Sequence, residues 1–251
     1  MSNGIGKEKI VDSLPKLNRN QLKYVLIAAM LIDHLAWSFV PTLSVLGQIM
    51  HIIGRLTGPS MAVLLAEGYQ YTRNKKKYAL RLFIFALISV VPYSLYETGK
   101  IVTIEQSVIV TLFMAFMIIW MWDCAKIPKA AKVTIVVFAC LLSMICDWAI
   151  SAILWALFAY IYRDDEKRKW RSFLIIAFIK CTLSMVMSIG ADGGAMRQFF
   201  QVGVILVPIV MIFFYDGSKG SKAPIHKWFF YVFYPAHLLI LYFVKLWVFS
   251  L

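Results

Sequence analysis

Apolar runs long enough to cross a bilayer recur along the 251 residues with only short polar breaks between them, and nothing else limits the fold so severely. A spanning helix needs about 17–25 mostly apolar residues. Nine runs are predicted as transmembrane helices, at 22–40, 56–71, 78–96, 108–122, 133–148, 149–162, 173–189, 199–214 and 229–249. An interfacial turn is expected over 45–53, ahead of the second run. The fifth and sixth runs adjoin at Asp147 and form either a hairpin or one broken helix. With 61% hydrophobic and 16% charged residues, the chain has too little polar surface to face water all round, since soluble domains carry about a quarter charged residues. The expected fold is an all-α polytopic membrane bundle of about nine helices. Residues 1–21 form a cytoplasmic N-terminal segment and 22–251 a single transmembrane domain.

The formal charge of +13 would suit nucleic acid, but its distribution argues against that partner. Lys7, Lys9, Lys16, Arg19 and Lys23 precede the first run. Arg73, Lys75, Lys76, Lys77 and Arg81 separate the second from the third. Lys126, Lys129 and Lys132 follow the fourth, Arg163, Lys167, Arg168, Lys169 and Arg171 the sixth, and Lys219, Lys222 and Lys227 the eighth. With nine spans all of these clusters share one face and hold 21 of the 26 basic residues. The positive-inside rule then sets the N-terminus in the cytoplasm. A seven- or eight-helix chain would scatter the clusters over both faces. The first twenty residues lack an apolar core, so the first span is expected to act as the export signal. Cys124, Cys140, Cys146 and Cys181 have no metal-ligand spacing, and no metal site is expected.

Ionisable groups inside a membrane are costly and mark function or buried pairs. They are Asp33, His34, Arg55, Glu67, Asp147, Lys180, His237 and Lys245, of which Lys245 lies near a helix end and snorkels. Asp33 and His34 are neighbours, so they point about 100° apart around a helix. An orienting acceptor for His34 is therefore expected on another helix, with Glu67 or Asp147 as candidates. Lys180 either pairs with Asp147 or lines a wet cavity. His34 is either a general base that takes a proton from an acceptor amine or hydroxyl, or a buried histidine bonded within the bundle. It lies about 12 residues into the first run, roughly 18 Å from the cytoplasmic end at 1.5 Å per residue. A ligand anchored on the basic loops would need a long, thin arm to reach it, and the pantetheine of coenzyme A is such an arm.

Two further regions stand out. In Gly54-Arg55-Leu56-Thr57-Gly58-Pro59, Pro59 suits a first helical turn. Arg73 and Arg81 bracket a basic turn that either holds phosphates or only sets topology. In Tyr215-Asp216-Gly217-Ser218-Lys219-Gly220 a turn precedes the aromatic stretch of the last run. There Pro235 is expected to kink the helix beside His237, which either lines the same cavity as His34 or is structural.

Three stretches resemble the TraX family, membrane proteins named for an acetylase of the pilin N-terminus. They are Leu22-Lys23 followed by Met30-Leu31-Ile32-Asp33-His34; Gly54-Arg55-Leu56 through Leu64-Leu65-Ala66-Glu67-Gly68 and Thr72-Arg73-Asn74 to Tyr78 and Arg81-Leu82; and Tyr215-Asp216-Gly217 with Phe230-Tyr231 and Tyr234-Pro235-Ala236-His237-Leu238. They occur in the family's order, and residues 100–195 contribute little. Ser107 and Asp216 stand where the family usually has Asn, and the usual Phe near Gly58 is absent. The resemblance implies a bacterial inner-membrane acetyltransferase using cytoplasmic acetyl-CoA, with His34 catalytic and Asp33 supporting it. It implies that Arg55, Glu67, Arg73 and Arg81 help shape the donor and acceptor sites; the donor is expected at Arg73, Lys76 and Arg81, and the acceptor at Arg55, Glu67 and His237. The acceptor would be a small peptide's N-terminus, an envelope glycan or a lipid. The competing readings are a transporter lined by Lys180, Asp147 and Glu67, which the lack of an internal repeat disfavours, and a non-catalytic subunit that binds peptide or lipid.

Overall fold

The computed structural model describes residues 15–250. Lys7 and Lys9, and most of the expected 1–21 segment, lie outside the described residues. The helices are α1 (Arg19–Phe39), α2 (Val45–Gly54), α3 (Thr57–Tyr71), α4 (Lys75–Thr98), α5 (Val108–Cys124), α6 (Lys129–Leu142), α7 (Ser151–Ile161), α8 (Glu166–Met187), α9 (Gly194–Phe214) and α10 (Pro224–Phe249). Among the described residues, extended pairing is confined to two isolated bridges. The chain is a helical membrane protein. Each of the nine expected runs contains a helix, but among the described residues six helical units are both long and apolar enough to cross a bilayer: α1, the α2–α3 unit Val45–Tyr71, α4, α8, α9 and α10. The helices α5 and α7 are apolar and shorter.

Helix starts are set by short polar side chains. Asn18 and Gln21 form a reciprocal capping box on α1, and Asn74 and Asp165 cap α4 and α8 by accepting N–H bonds from Lys77 and Arg168. Each satisfies amides that the first turn leaves unpaired. The 45–53 stretch, expected as an interfacial turn, is instead the helix α2. Ser44 caps it through the Gly47 amide, and its apolar residues continue almost directly into α3.

The junction near Asp147 is a broken element. Helix α6 stops at Leu142, a 3₁₀ turn follows over Ser143–Ile145, and α7 begins at Ser151. Between them Trp148 and Ile150 take φ of 56° and 48°, a region that L side chains avoid and β-branched ones most of all. Gln106 and Thr111 hold this backbone: Asp147 N–H donates to the Gln106 carbonyl (2.8 Å), and the Thr111 hydroxyl donates to the Asp147 carbonyl (2.6 Å). Irregular backbone at this depth is tolerable where it lines a cavity or is buried in protein.

Small residues let α3 and α7 approach closely. Ala62 and Ala66 on α3 and Ala152, Ala156 and Ala159 on α7 are all buried, the usual basis of tight helix packing in lipid. Trp155, Tyr69 and Phe116 fill the core around them. A second apolar cluster joins α4 and α10 through Tyr93, Tyr96, Tyr234 and Leu238. Leu80, Leu87, Phe178, Ile179 and Phe243 face outward, as a bilayer requires.

Contacts among the loops bring the basic clusters to one end. Arg19 and Lys219 both stack on Tyr71, at 5.3 and 4.6 Å. Lys75 bonds to Asp123 at the end of α5 (2.8 Å), Lys132 to the Trp122 carbonyl (2.6 Å), and Arg163 lies 4.8 Å over Tyr160.

Candidate functional site

A cavity of about 550 Å³ runs from this basic end into the bundle. Lys23, Arg81, Lys222, His226 and Lys227 line its mouth. Ile27, Met30, Met61, Leu64 and Leu65 line an apolar throat. His34, Asp33, Arg55, Asp147, Trp148 and Glu97 line the deeper part. On α1 alone, Lys23 and His34 are 11 positions apart, about 16 Å of helix.

His34 finds its partner on the last helix. Its Nδ1 lies 2.7 Å from His237 Nε2, and the two rings stack with centroids 4.9 Å apart. This corrects the expectation that Glu67 or Asp147 would orient His34. The network also assigns the tautomers. His237 Nδ1 is 2.8 Å from the Phe233 carbonyl, which can only accept. His237 Nδ1 therefore carries the proton and its Nε2 accepts. His34 must then donate from Nδ1, which leaves its own Nε2 with a free lone pair. That nitrogen has no protein partner among the described residues, and the ring borders the cavity. From α4, the Tyr96 hydroxyl donates to the His34 carbonyl (2.7 Å), as does Ser38 (2.9 Å), which fixes α1 at this level.

Asp33, offset by about 100° around α1, turns to other partners than His34 does. It is buried and accepts from Arg55 Nη2 (2.5 Å) and His51 Nδ1 (2.7 Å). Gly54 makes this possible, because a Cβ there would overlap the Asp33 carboxyl. The Arg55 guanidinium lies 4.8 Å over Trp148 and 5.1 Å over Phe200, and its Nε is buried without a partner among the described residues. His51 was missed from the sequence because its stretch reads as interfacial.

The other expected site residues divide. Arg81 lines the cavity; Arg73 and Lys76 do not. Glu67 also lies off the cavity wall, held by Arg19 and by the Tyr215 hydroxyl at 2.8 Å. Burial, reinforced by the Glu67 charge, raises the Tyr215 phenol above its ordinary value, so it stays protonated and donates. Lys180 bonds to Gln201 (2.9 Å) and stacks on Trp148 at 5.2 Å, which settles its direct partner as Gln201 and not Asp147. Among the described residues no cluster of His, Cys, Asp and Glu could hold a metal ion.

These features define a polytopic helical membrane protein with a polar chamber opening at its basic end. The family described as TraX protein matches residues 18–245, and the chain belongs to the TraX family. A relative in Dichelobacter nodosus, named "Probable fimbrial assembly protein FimC, serogroup H1", is 26% identical over 236 residues, covering 91% of this chain and 96% of that protein. No solved structure matches the chain.

Proposed function

We propose that this protein is an acetyltransferase of the bacterial cytoplasmic membrane, crossing it nine times with its N-terminus inside. It moves an acetyl group from cytoplasmic acetyl-CoA to an amine or hydroxyl of a peptide, glycan or lipid acceptor. The observation that carries this reading is the cavity joining the Lys23–Arg81 mouth to the unpartnered Nε2 of His34. The residues fit the donor in kind: cations at the mouth for phosphates, an apolar throat for an unbranched arm, and a base at the far end. The name of the Dichelobacter relative points toward surface-fibre assembly, which favours a peptide acceptor.

In this reading His34 Nε2 removes the proton as the acceptor nitrogen or oxygen forms its bond to the thioester carbonyl carbon. The carbon–sulfur bond breaks, and His34 returns the proton to the leaving sulfur. His237 holds the His34 ring in the tautomer that keeps Nε2 free and shares the charge while the proton is held. Arg55, anchored by Asp33, supplies positive charge beside the developing oxyanion. The apolar throat keeps water from the thioester.

Purified protein incubated with radiolabelled acetyl-CoA and an acceptor peptide tests this. Wild type should transfer label, and His34→Ala should not, while remaining folded and inserted. Undiminished transfer by that variant would remove His34 from the chemistry. Failure of wild type to bind acetyl-CoA in competition with coenzyme A would favour a transporter or a binding subunit.

A further inference from the structure

At the basic end the cavity passes two cations that lack carboxylates of their own. Lys23 on α1 and Arg81 on α4 both line it and are partly buried. Neither is ion-paired among the described residues. Lys23 feels the like charges of Arg19 and Arg81, and Glu67, the carboxylate acting on it, is already engaged by Arg19 and Tyr215. Aromatic rings hold the pair. Lys23 sits 5.2 Å over Phe230, and Arg81 lies against Tyr78 at 4.9 Å and Tyr231 at 5.1 Å. The Arg81 Nε is buried with no partner among the described residues.

Two like charges lining one low-dielectric opening are costly unless an anion joins them. Topology does not require this placement. The positive-inside rule is served by loop residues such as Arg73 and Lys76, and a snorkelling lysine would extend to the interface and not into a cavity.

We propose that Lys23 and Arg81 form an anion seat for a phosphate or diphosphate group on the ligand entering this mouth, with Lys222 and Lys227 adding charge at the exposed rim. The seat rests on the acetyl-donor reading only for what carries the phosphate. A donor nucleotide and an anionic lipid headgroup present the same chemistry. In the donor case, phosphates at Lys23 lie about 16 Å along α1 from His34, and the throat between them admits an unbranched chain.

The test uses the full chain in nanodiscs of neutral phosphatidylcholine, with inorganic pyrophosphate, coenzyme A and pantetheine as probes. Pyrophosphate should raise the thermal midpoint of wild type and of Lys23→Arg, and leave the Lys23→Met/Arg81→Met double variant unmoved. Coenzyme A should bind wild type about tenfold or more tightly than pantetheine, through charge-assisted bonds. The double variant should lose that difference while its pantetheine affinity holds. An equal pyrophosphate shift in wild type and the double variant overturns the seat. If the double variant does not fold, Lys23→Gln carries the same test, and a pyrophosphate shift equal to wild type again overturns it. Pyrophosphate binding that needs the pair, with no binding of coenzyme A, keeps the seat and rejects the donor reading. Stabilisation by added phosphatidylglycerol in wild type alone then assigns the seat to a lipid headgroup.

Discussion

Asp123 at the basic end and Asp33 deep in the bundle each bind side chains from neighbouring elements, yet they sit in opposite settings. Asp123 accepts from the Tyr69 and Tyr160 hydroxyls, both at 2.6 Å, and from Lys75 at 2.8 Å, with a side chain 30% exposed. Its network is closed: every group is spent on tying α3, α4, α5 and α7 together. Asp33 is 6% exposed and holds Arg55 and His51, and that network is left open. His51 Nε2 and Arg55 Nε are buried with no partner among the described residues, and Arg55 borders the cavity. Closed carboxylate networks at a wet rim are structural. Open ones beside a cavity hold groups ready for something else, and the neighbouring His34–His237 pair follows the same pattern.

The largest expected effect tests that openness directly. His34→Ala should cut acetyl transfer by about 10²–10⁴-fold, measured by label transfer on protein that still elutes as a single species. His237→Ala should fall less far, because it leaves the base but frees its tautomer, and its pH–rate profile should shift where that of a merely structural variant would not. Asp33→Ala should destabilise by about 3–5 kcal/mol, because Arg55 and His51 are left buried and unpaired; thermal unfolding in detergent checks it. Loss of transfer with unchanged stability would instead make Asp33 a positioning residue alone.

Smaller effects sharpen the contrast. Gly54→Ala forces a methyl onto the Asp33 carboxyl and should cost about 1–3 kcal/mol. Asp123→Ala should cost about 1 kcal/mol, its bonds being partly replaced by water, with transfer by the folded fraction unchanged. Arg73→Ala with Lys76→Ala should change acetyl-CoA affinity by about twofold or less, as exposed charges off the cavity wall do.

Much of this was legible residue by residue. The apolar runs sum a local quantity, so the helices appear where expected, and α2 was missed because its ten residues are too short to score as a span. The basic loops follow the same logic. His34, Asp33, Arg55 and His237 were singled out because an ionisable side chain in an apolar run is conspicuous whatever it touches. Their pairing was not legible. His34 meets His237 across 203 positions, and Lys23 and Arg81 line one cavity because α1 and α4 turn those faces toward it.

The sequence by itself determined that this chain is a bundle of membrane helices, that its cations gather at one end, and which buried groups need an explanation, since each of these follows from the local cost of putting charge in lipid. Only the tertiary structure decided that Asp33 serves Arg55 and His51 and not His34, and that His34 has a free nitrogen. Those outcomes depend on the rotation and depth of helices packed against one another. A turn of about 100° per residue moves a side chain from one partner to another without changing the hydropathy of the segment that carries it.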